Sequence, residues 1–141
     1  ENIIRMLKTD GRASNASIAR KFGVTEGTVR RRIKTLIDQR FINVVAHLNT
    51  VQMGYTSEAI IGIQVDPDKI DKASEKLSKM EEVTWIVLTT GRYDIFVWIA
   101  VRSAEELGNF LQSKLGGVNG IRRTETFINL TVKKSAHGMI L

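Results

Sequence analysis

The sequence predicts an α+β chain of two small domains, a cluster of short helices followed by an antiparallel sheet with two helices on one face. Three observations carry this expectation. The spacing of apolar residues is helical up to about residue 40 and strand-like beyond it. Charge divides at the same place: residues 1–40 hold ten Lys or Arg against four acids, the rest hold eleven of each sign, and the whole formal excess of +6 lies in the first part. Finally, the later part runs strand, helix, strand, strand, helix, strand, which is the split βαβ, or ferredoxin-like, order. With 43% apolar residues in 141, each part can bury a core, although domains this small are marginal alone and gain from self-association.

Ile3, Ile4 and Leu7 share one face of a first helix, which Asp10-Gly11 ends. Ile18, Ala19 and Phe22 define a second helix with Ser14 as its N-cap, and Val29, Ile33, Leu36 and Ile37 define a third with Thr25 as its N-cap. Gly23 suits the turn between them. Residues 41–48 read as a strand, either a small wing or a link, and 49–55 as a connection. Strands then follow at 58–65, 83–89, 92–101 and 121–133, with helices at 67–80 and 104–115. Asp66-Pro67 supplies an acidic cap and a proline at the first helical position. Ser103 with Glu106 matches a capping box, and Thr90-Gly91 turns between the two middle strands. The expected boundaries are 1–45 for the first domain, 46–56 for a linker and 57–141 for the second domain.

The strands are apolar at nearly every position, as in Ile95-Phe96-Val97-Trp98-Ile99-Ala100-Val101. A sheet covered on one face only should alternate apolar and polar residues. The second face is therefore expected to be buried too, against another copy of the chain in a sheet-to-sheet homodimer.

The second and third helices have the spacing of a helix-turn-helix. Ala19 allows close approach, Gly23 turns the chain, and Val24 and Val29 anchor the second helix of the pair. With Val29 at the centre of the buried face, Arg31 falls about 200° away at a period of 3.6 residues. Thr28, Arg31 and Thr35 then face outward. The N-terminal residues of such a helix meet base edges, so Glu26, Gly27, Thr28 and Arg31 are assigned to base readout or its near surroundings, with the cap Thr25 in the same surface. Arg30, Arg32 and Lys34 are assigned to phosphates, which position without specifying. Double-stranded DNA is the partner this arrangement suits. A charge run on a helix is often only a solvated face; here it coincides with the helix-turn-helix spacing and with the charge asymmetry.

The absence of cysteine excludes disulfides and thiolate metal sites. No metal-ligand spacing is present, and none of the nucleotide-binding or hydrolase motifs. No apolar run approaches the roughly 20 residues of a bilayer span, and no signal-peptide pattern is visible. A cytoplasmic protein associated with the nucleoid is expected.

Three stretches together resemble the Lrp/AsnC, or feast/famine, family of prokaryotic transcription regulators: Asp10-Gly11-Arg12 with Ser17–Thr25; Thr28–Ile33 continuing to Leu36 and Phe41-Ile42; and Thr90-Gly91-Arg92-Tyr93-Asp94 with Gly117–Ile121. One departure is Arg40, where the family often has Gly at the end of the third helix. The resemblance implies a winged helix-turn-helix domain followed by a βαββαβ domain of the RAM/ACT-like kind. It also implies dimers assembling into tetramers or octamers, and a small effector, usually an amino acid, bound between dimers. Carried over residue by residue, the effector site is Thr90, Gly91, Arg92, Tyr93 and Asp94. Thr124 and Thr126, two apart on the last strand, resemble the hydroxyl residues that complete the pocket in relatives. Asp94 suits an ammonium, and backbone N–H groups at Gly91 suit a carboxylate. The competing reading has Asp94 paired structurally with Arg92 or Arg122. No cofactor is implied.

Two other function classes compete with this reading. A few proteins similar to this family are sirohaem decarboxylases, which work with histidine and arginine; here the only histidines are His47 and His137, neither in a catalytic motif. An RNA-recognition module shares the βαββαβ order but requires an exposed aromatic sheet face, and Phe96 and Trp98 lie in a run too apolar to stay open.

Overall fold

The computed structural model describes residues 1–46 and 49–133. Residues 1–46 form one compact unit and 49–133 another. His47 and His137 lie outside the described residues, as do positions 47–48 of the expected strand and the end of the second domain from 134.

The first unit consists of α1 (Asn2–Thr9), α2 (Asn15–Phe22) and α3 (Glu26–Asp38). Ile3, Ile18, Ala19 and Val29 form its core, with Met6, Leu7, Phe22, Val24 and Ile33 packed around them. Asp10 breaks the chain as expected, its Oδ1 accepting the Arg12 N–H at 2.9 Å in a turn that competes with helix. The Ser14 hydroxyl caps α2 by accepting the Ser17 N–H at 3.1 Å. The third helix ends in a Schellman motif: the Phe41 N–H donates to the Leu36 carbonyl at 2.8 Å and the Arg40 N–H to that of Ile37 at 2.9 Å. This geometry needs a left-handed residue, and Arg40 supplies it at φ 59°, alone among the described non-glycine residues. The departure at Arg40 therefore leaves the turn intact but places a side chain where glycine is cheaper.

Residues 41–46 are not a strand, which corrects the expectation for 41–48. Phe41, Val44 and Val45 are 70%, 56% and 65% exposed. Their β-forming composition marks a segment that fits a pleated, half-buried surface, but a strand forms only against a partner, and among the described residues they have none.

The second unit is a four-stranded antiparallel sheet of β1 (Ser57–Val65), β2 (Val83–Leu88), β3 (Ile95–Val101) and β4 (Ile121–Ile128), in the order β2-β3-β1-β4. A 3₁₀ turn (Pro67–Lys69) leads into α4 (Ile70–Ser78), and α5 (Ala104–Asn109) continues as a π-helical turn (Phe110–Leu115). The βαββαβ order is as expected. Four ends are shorter than expected: β2 stops at Leu88 rather than 89, β3 begins at Ile95 rather than 92, β4 stops at Ile128 rather than 133, and α4 stops at Ser78 rather than 80. Alternate residues of β1 and β3, among them Ile61, Ile63, Ile95, Val97 and Ile99, pack against Ala73, Leu77, Leu107, Phe110 and Leu115 of the helical layer. Asp66 makes no side-chain cap bond; its carboxylate lies 3.7 Å from Arg122 instead. In the capping box, Ser103 accepts the Glu106 N–H at 3.1 Å, while the Glu106 carboxylate reaches one residue further back, to the Arg102 N–H at 2.8 Å.

The other sheet face carries Ile60, Phe96, Trp98, Trp85 and Phe127, brought together by the registers Ile60↔Trp98, Trp85↔Trp98 and Ile60↔Phe127. No described element of this unit covers it fully: Trp85 is 53% and Phe127 45% exposed.

Candidate nucleic-acid interface and effector loop

The surface expected to face DNA is built from the turn before α3. Gly23 adopts φ 63°, ψ 34° and closes α2, so that the Val24 N–H reaches the Ala19 carbonyl at 3.1 Å. Two residues on, the Thr25 hydroxyl caps α3, accepting the Thr28 N–H at 3.2 Å. The same hydroxyl lies 2.9 Å from that of Thr28. Val29 is fully buried and Ala19 4% exposed, which orients α3 through its inner face. Glu26, Gly27, Arg30, Arg31, Arg32 and Lys34 are all exposed, and Thr28 is half-buried beside its cap. Thr35 faces solvent but spends its hydroxyl on the Arg31 carbonyl at 3.0 Å. Lys34 pairs with Asp38 at 2.7 Å, a surface pair that a phosphate can displace at small cost. Arg31, Arg32 and Thr35 border a groove of about 620 Å³ between α1 and α3, floored by Ile3, Phe22, Val24, Val29 and Leu36. Arg30 and Lys34 lie on the other flank, beside Asn15 and Ile37. The basic side chains thus straddle the outer face of one helix.

Residues Thr90, Gly91, Arg92, Tyr93 and Asp94 lie in the loop between β2 and β3, closed by the Thr89 N–H on the Asp94 carbonyl at 2.9 Å and the Thr89 hydroxyl on the Tyr93 carbonyl at 2.7 Å. Gly91 turns the loop at φ 116°, backbone that a side chain would strain. Gln64 Nε2 donates to the Arg92 carbonyl at 2.8 Å, and the Arg92 guanidinium stands 5.7 Å from the centre of the Tyr93 ring.

Asp94 pairs with neither Arg92 nor Arg122. The β1–β3 register ends at Ile63↔Ile95. Past that point Asp94 takes the place of a ladder partner: its N–H donates to the Ile63 carbonyl at 2.9 Å and its Oδ2 accepts the Val65 N–H at 2.8 Å. Its Oδ1 has no hydrogen-bond partner among the described residues. The site residues do not share one face. Thr124 and Thr126 pair with Ile63 and Ile61, so they stand on the helix side of the sheet. Tyr93 lies on the other side, its ring occupying the space over Gly62; a Cβ at 62 would sit 2.8 Å from both Cγ and Cδ2 of that ring. Phe96 meets it edge-on at 5.4 Å between centroids. The Tyr93 hydroxyl is buried without a hydrogen-bond partner among the described residues.

Gly62, Gln64 and Val65 shape this loop and were not singled out from the sequence. Gly62 carried the one available signal, since a glycine inside an apolar strand often marks a close approach.

Comparison with known proteins extends over both units. Residues 1–37 match the AsnC-type helix-turn-helix domain and residues 58–138 the Lrp/AsnC ligand binding domain. Among similar proteins, an HTH-type transcriptional regulator of Pyrococcus furiosus is 40% identical over 141 residues, covering 99% of this chain and 95% of the relative. One from Pyrococcus abyssi is 39% identical over 139 residues, covering 98% and 88%. Among solved structures, Escherichia coli AsnC superposes with a TM-score of 0.90 at 29% identity, covering 96% of this chain and 93% of that one. A Neisseria meningitidis transcriptional regulator, solved as its complex with L-Met, gives 0.91 at 18% identity, covering 99% and 92%; at that identity the likeness is one of fold.

Proposed function

The chain belongs to the Lrp/AsnC family of HTH-type transcriptional regulators, and on that premise we propose that it binds inverted-repeat duplex DNA as a homodimer whose assembly responds to a free amino acid. The observation that carries the DNA reading is the outer face of α3, capped by Thr25 and flanked on both sides by arginine, within the part of the chain that holds all of its charge excess. In this reading Glu26, Gly27, Thr28 and Arg31 meet base edges in the major groove, while Arg30, Arg32 and Lys34 meet phosphates. The protein works at the chromosome, in the cytoplasm of a prokaryote.

Self-association is supported by the aromatic sheet face. Ile60, Phe96 and Trp98 are only half-buried, with Trp85 and Phe127 more exposed still, a contiguous apolar patch of the kind that marks an interface. Two such faces packed together bury one another and set two recognition helices on successive half-sites, and further assembly of dimers brings several such pairs onto one DNA.

For the effector, the Asp94 Oδ1 left over from the Val65 contact supplies the group an ammonium needs, and the open backbone at Gly91 suits a carboxylate. Thr124 lies across β1 from Asp94, two strand spacings or about 10 Å away, and on the helix side. The pocket is therefore completed by a second subunit rather than within one chain. The Neisseria regulator, alike in fold, was solved with L-Met, and an amino acid is the effector class we propose here.

Duplex DNA competing better than single-stranded RNA of equal length for the protein is the expected result for the DNA reading; equal competition overturns it. A thermal-shift panel of the twenty amino acids tests the effector. Ligand at 100 times its Kd adds about 2.7 kcal/mol, a shift of several degrees for a chain of this size. Twenty flat curves overturn the amino-acid reading.

A further inference from the structure

The last strand carries two rows of side chains, and they meet different surroundings. Phe127 pairs with Ile60 on the aromatic face, while Thr124, Thr126 and Ile128 pair with Ile63, Ile61 and Ala59 on the helix side. The helical layer buries those three β1 residues completely, each at 0% exposure, and covers β4 far less. Thr124 is exposed, Thr126 half-buried and Ile128 63% exposed. A sheet-to-sheet dimer covers the opposite face, so it does not account for this row.

The row changes character along its length. Side chains on one face of a strand recur about every 7 Å, so the three positions form a ledge of hydroxyl, hydroxyl and branched hydrocarbon. Neither threonine hydroxyl has a hydrogen-bond partner among the described residues. A hydroxyl both donates and accepts, so this end of the ledge can meet either charge of a free amino acid. Ile128 can meet neither. Packed against a charged or amide side chain, it would strip water from polar atoms and return no hydrogen bond. Packed against an aliphatic or thioether side chain, it removes apolar area from water on both partners. The step from Thr126 to Ile128 is comparable with the reach of a leucine or methionine side chain from its head group.

We propose that Ile128 is the specificity-determining residue of the effector site, and that it selects a free amino acid with an aliphatic or thioether side chain larger than that of alanine. The inference rests on the effector reading above, in which Thr124 and Thr126 belong to the pocket. The hydroxyl end of the ledge takes the head group and Ile128 takes the side chain.

The test ranks the twenty amino acids by Kd, measured by calorimetry on the whole chain, for wild type, Ile128→Thr and Ile128→Val. Wild type should bind leucine, isoleucine, valine or methionine at least about tenfold more tightly than alanine, lysine or glutamine. Ile128→Thr keeps a β-branched residue at an exposed strand position but puts a hydroxyl on the apolar end of the ledge. It should lose about tenfold in affinity for the preferred ligand and less than about twofold for alanine, with ligand-free melting temperature and oligomeric state unchanged. Ile128→Val should stay within about threefold of wild type. A wild type that prefers a charged, amide or aromatic side chain overturns the proposal and leaves the effector reading standing. Binding of none of the twenty overturns the effector reading and the proposal with it. An Ile128→Thr protein that keeps its affinity for the preferred ligand, or loses leucine and alanine equally, removes Ile128 from side-chain selection. A ligand-free change of oligomeric state in that variant makes Ile128 a subunit contact and likewise overturns the proposal.

Discussion

The carboxylate of Asp94 accepts the backbone N–H of Val65 at 2.8 Å, and this contact ties the loop between β2 and β3 to the end of β1. The residue best suited by chemistry to hold an effector ammonium is therefore also a structural member of the sheet. Its two oxygens divide the roles, Oδ2 to the backbone and Oδ1 to the proposed ligand. Asp94→Ala removes both and leaves a half-buried N–H without a partner, which should cost about 1–3 kcal/mol. Asp94→Asn keeps an acceptor for Val65 while losing the charge. It should melt close to wild type, keep its DNA affinity without effector and lose the thermal shift produced by the effector. An Asp94→Asn protein that still responds fully would take the charge of Asp94 out of the effector site.

Arg40 occupies a left-handed position at φ 59° where glycine carries no steric cost. Arg40→Gly should raise stability by about 0.5–1 kcal/mol, read as a higher midpoint in urea with an unchanged slope. A lower midpoint would mean that the Arg40 side chain stabilises the fold by more than its backbone strain costs.

Gly62 leaves room for the Tyr93 ring. Gly62→Ala places a methyl 2.8 Å from two ring atoms and 3.1 Å from Phe96, and the edge-on Phe96 blocks the simplest escape. The expected loss is about 1–3 kcal/mol, with most of it recovered in the double variant Gly62→Ala, Tyr93→Ala relative to the sum of the singles. Strict additivity in that cycle would show that the ring moves aside freely.

Arg31 and Arg30 should differ in kind. Arg31→Ala is expected to weaken DNA binding and relax sequence preference, since it faces nearly opposite the buried Val29. Arg30→Ala should weaken binding to all sequences alike and reduce the salt slope by about 1. Competition against a mutated half-site distinguishes them, and preference left intact in Arg31→Ala would shift base readout to other residues of α3.

Glu82 and Lys114 form an ion pair between the turn before β2 and the helical segment that ends at Leu115. Burial pushes the Glu82 carboxyl up, but the hydrogen bond from Lys114, a backbone hydrogen bond and the Lys114 charge together hold it below its ordinary value. The hydrogen bond to Glu82 raises the Lys114 ammonium. A carboxyl depressed in the folded state stabilises above its unfolded pKa and loses that contribution as pH falls through the folded value. Glu82→Gln should therefore melt slightly below wild type at pH 7, and the difference should close as pH drops below the usual carboxylate range. A gap that persists unchanged at low pH would assign the effect to packing.

Much of this protein was legible in the sequence because the signals involved are short in range. The change of apolar period near residue 40, the caps at Ser14, Thr25 and Ser103, and the turn at Gly23 each depend on residues within one helical turn of one another. Local sequence therefore determined two domains, the helix-turn-helix and the βαββαβ order. The charge asymmetry is a property of composition alone and pointed to DNA on the same terms. What only the tertiary structure decided depends on partners distant in the chain. Phe41 to Val45 have strand-forming side chains, yet they form no strand, because a ladder needs a second strand and the described residues offer none. The five residues from Thr90 to Asp94 are contiguous, yet the Tyr93 ring lies over Gly62 on one face of the sheet while Thr124 and Thr126 stand on the other. That separation follows from register: a side chain's face is set by which residue it pairs with across the sheet, and cross-strand pairing is not written in the neighbours of either residue.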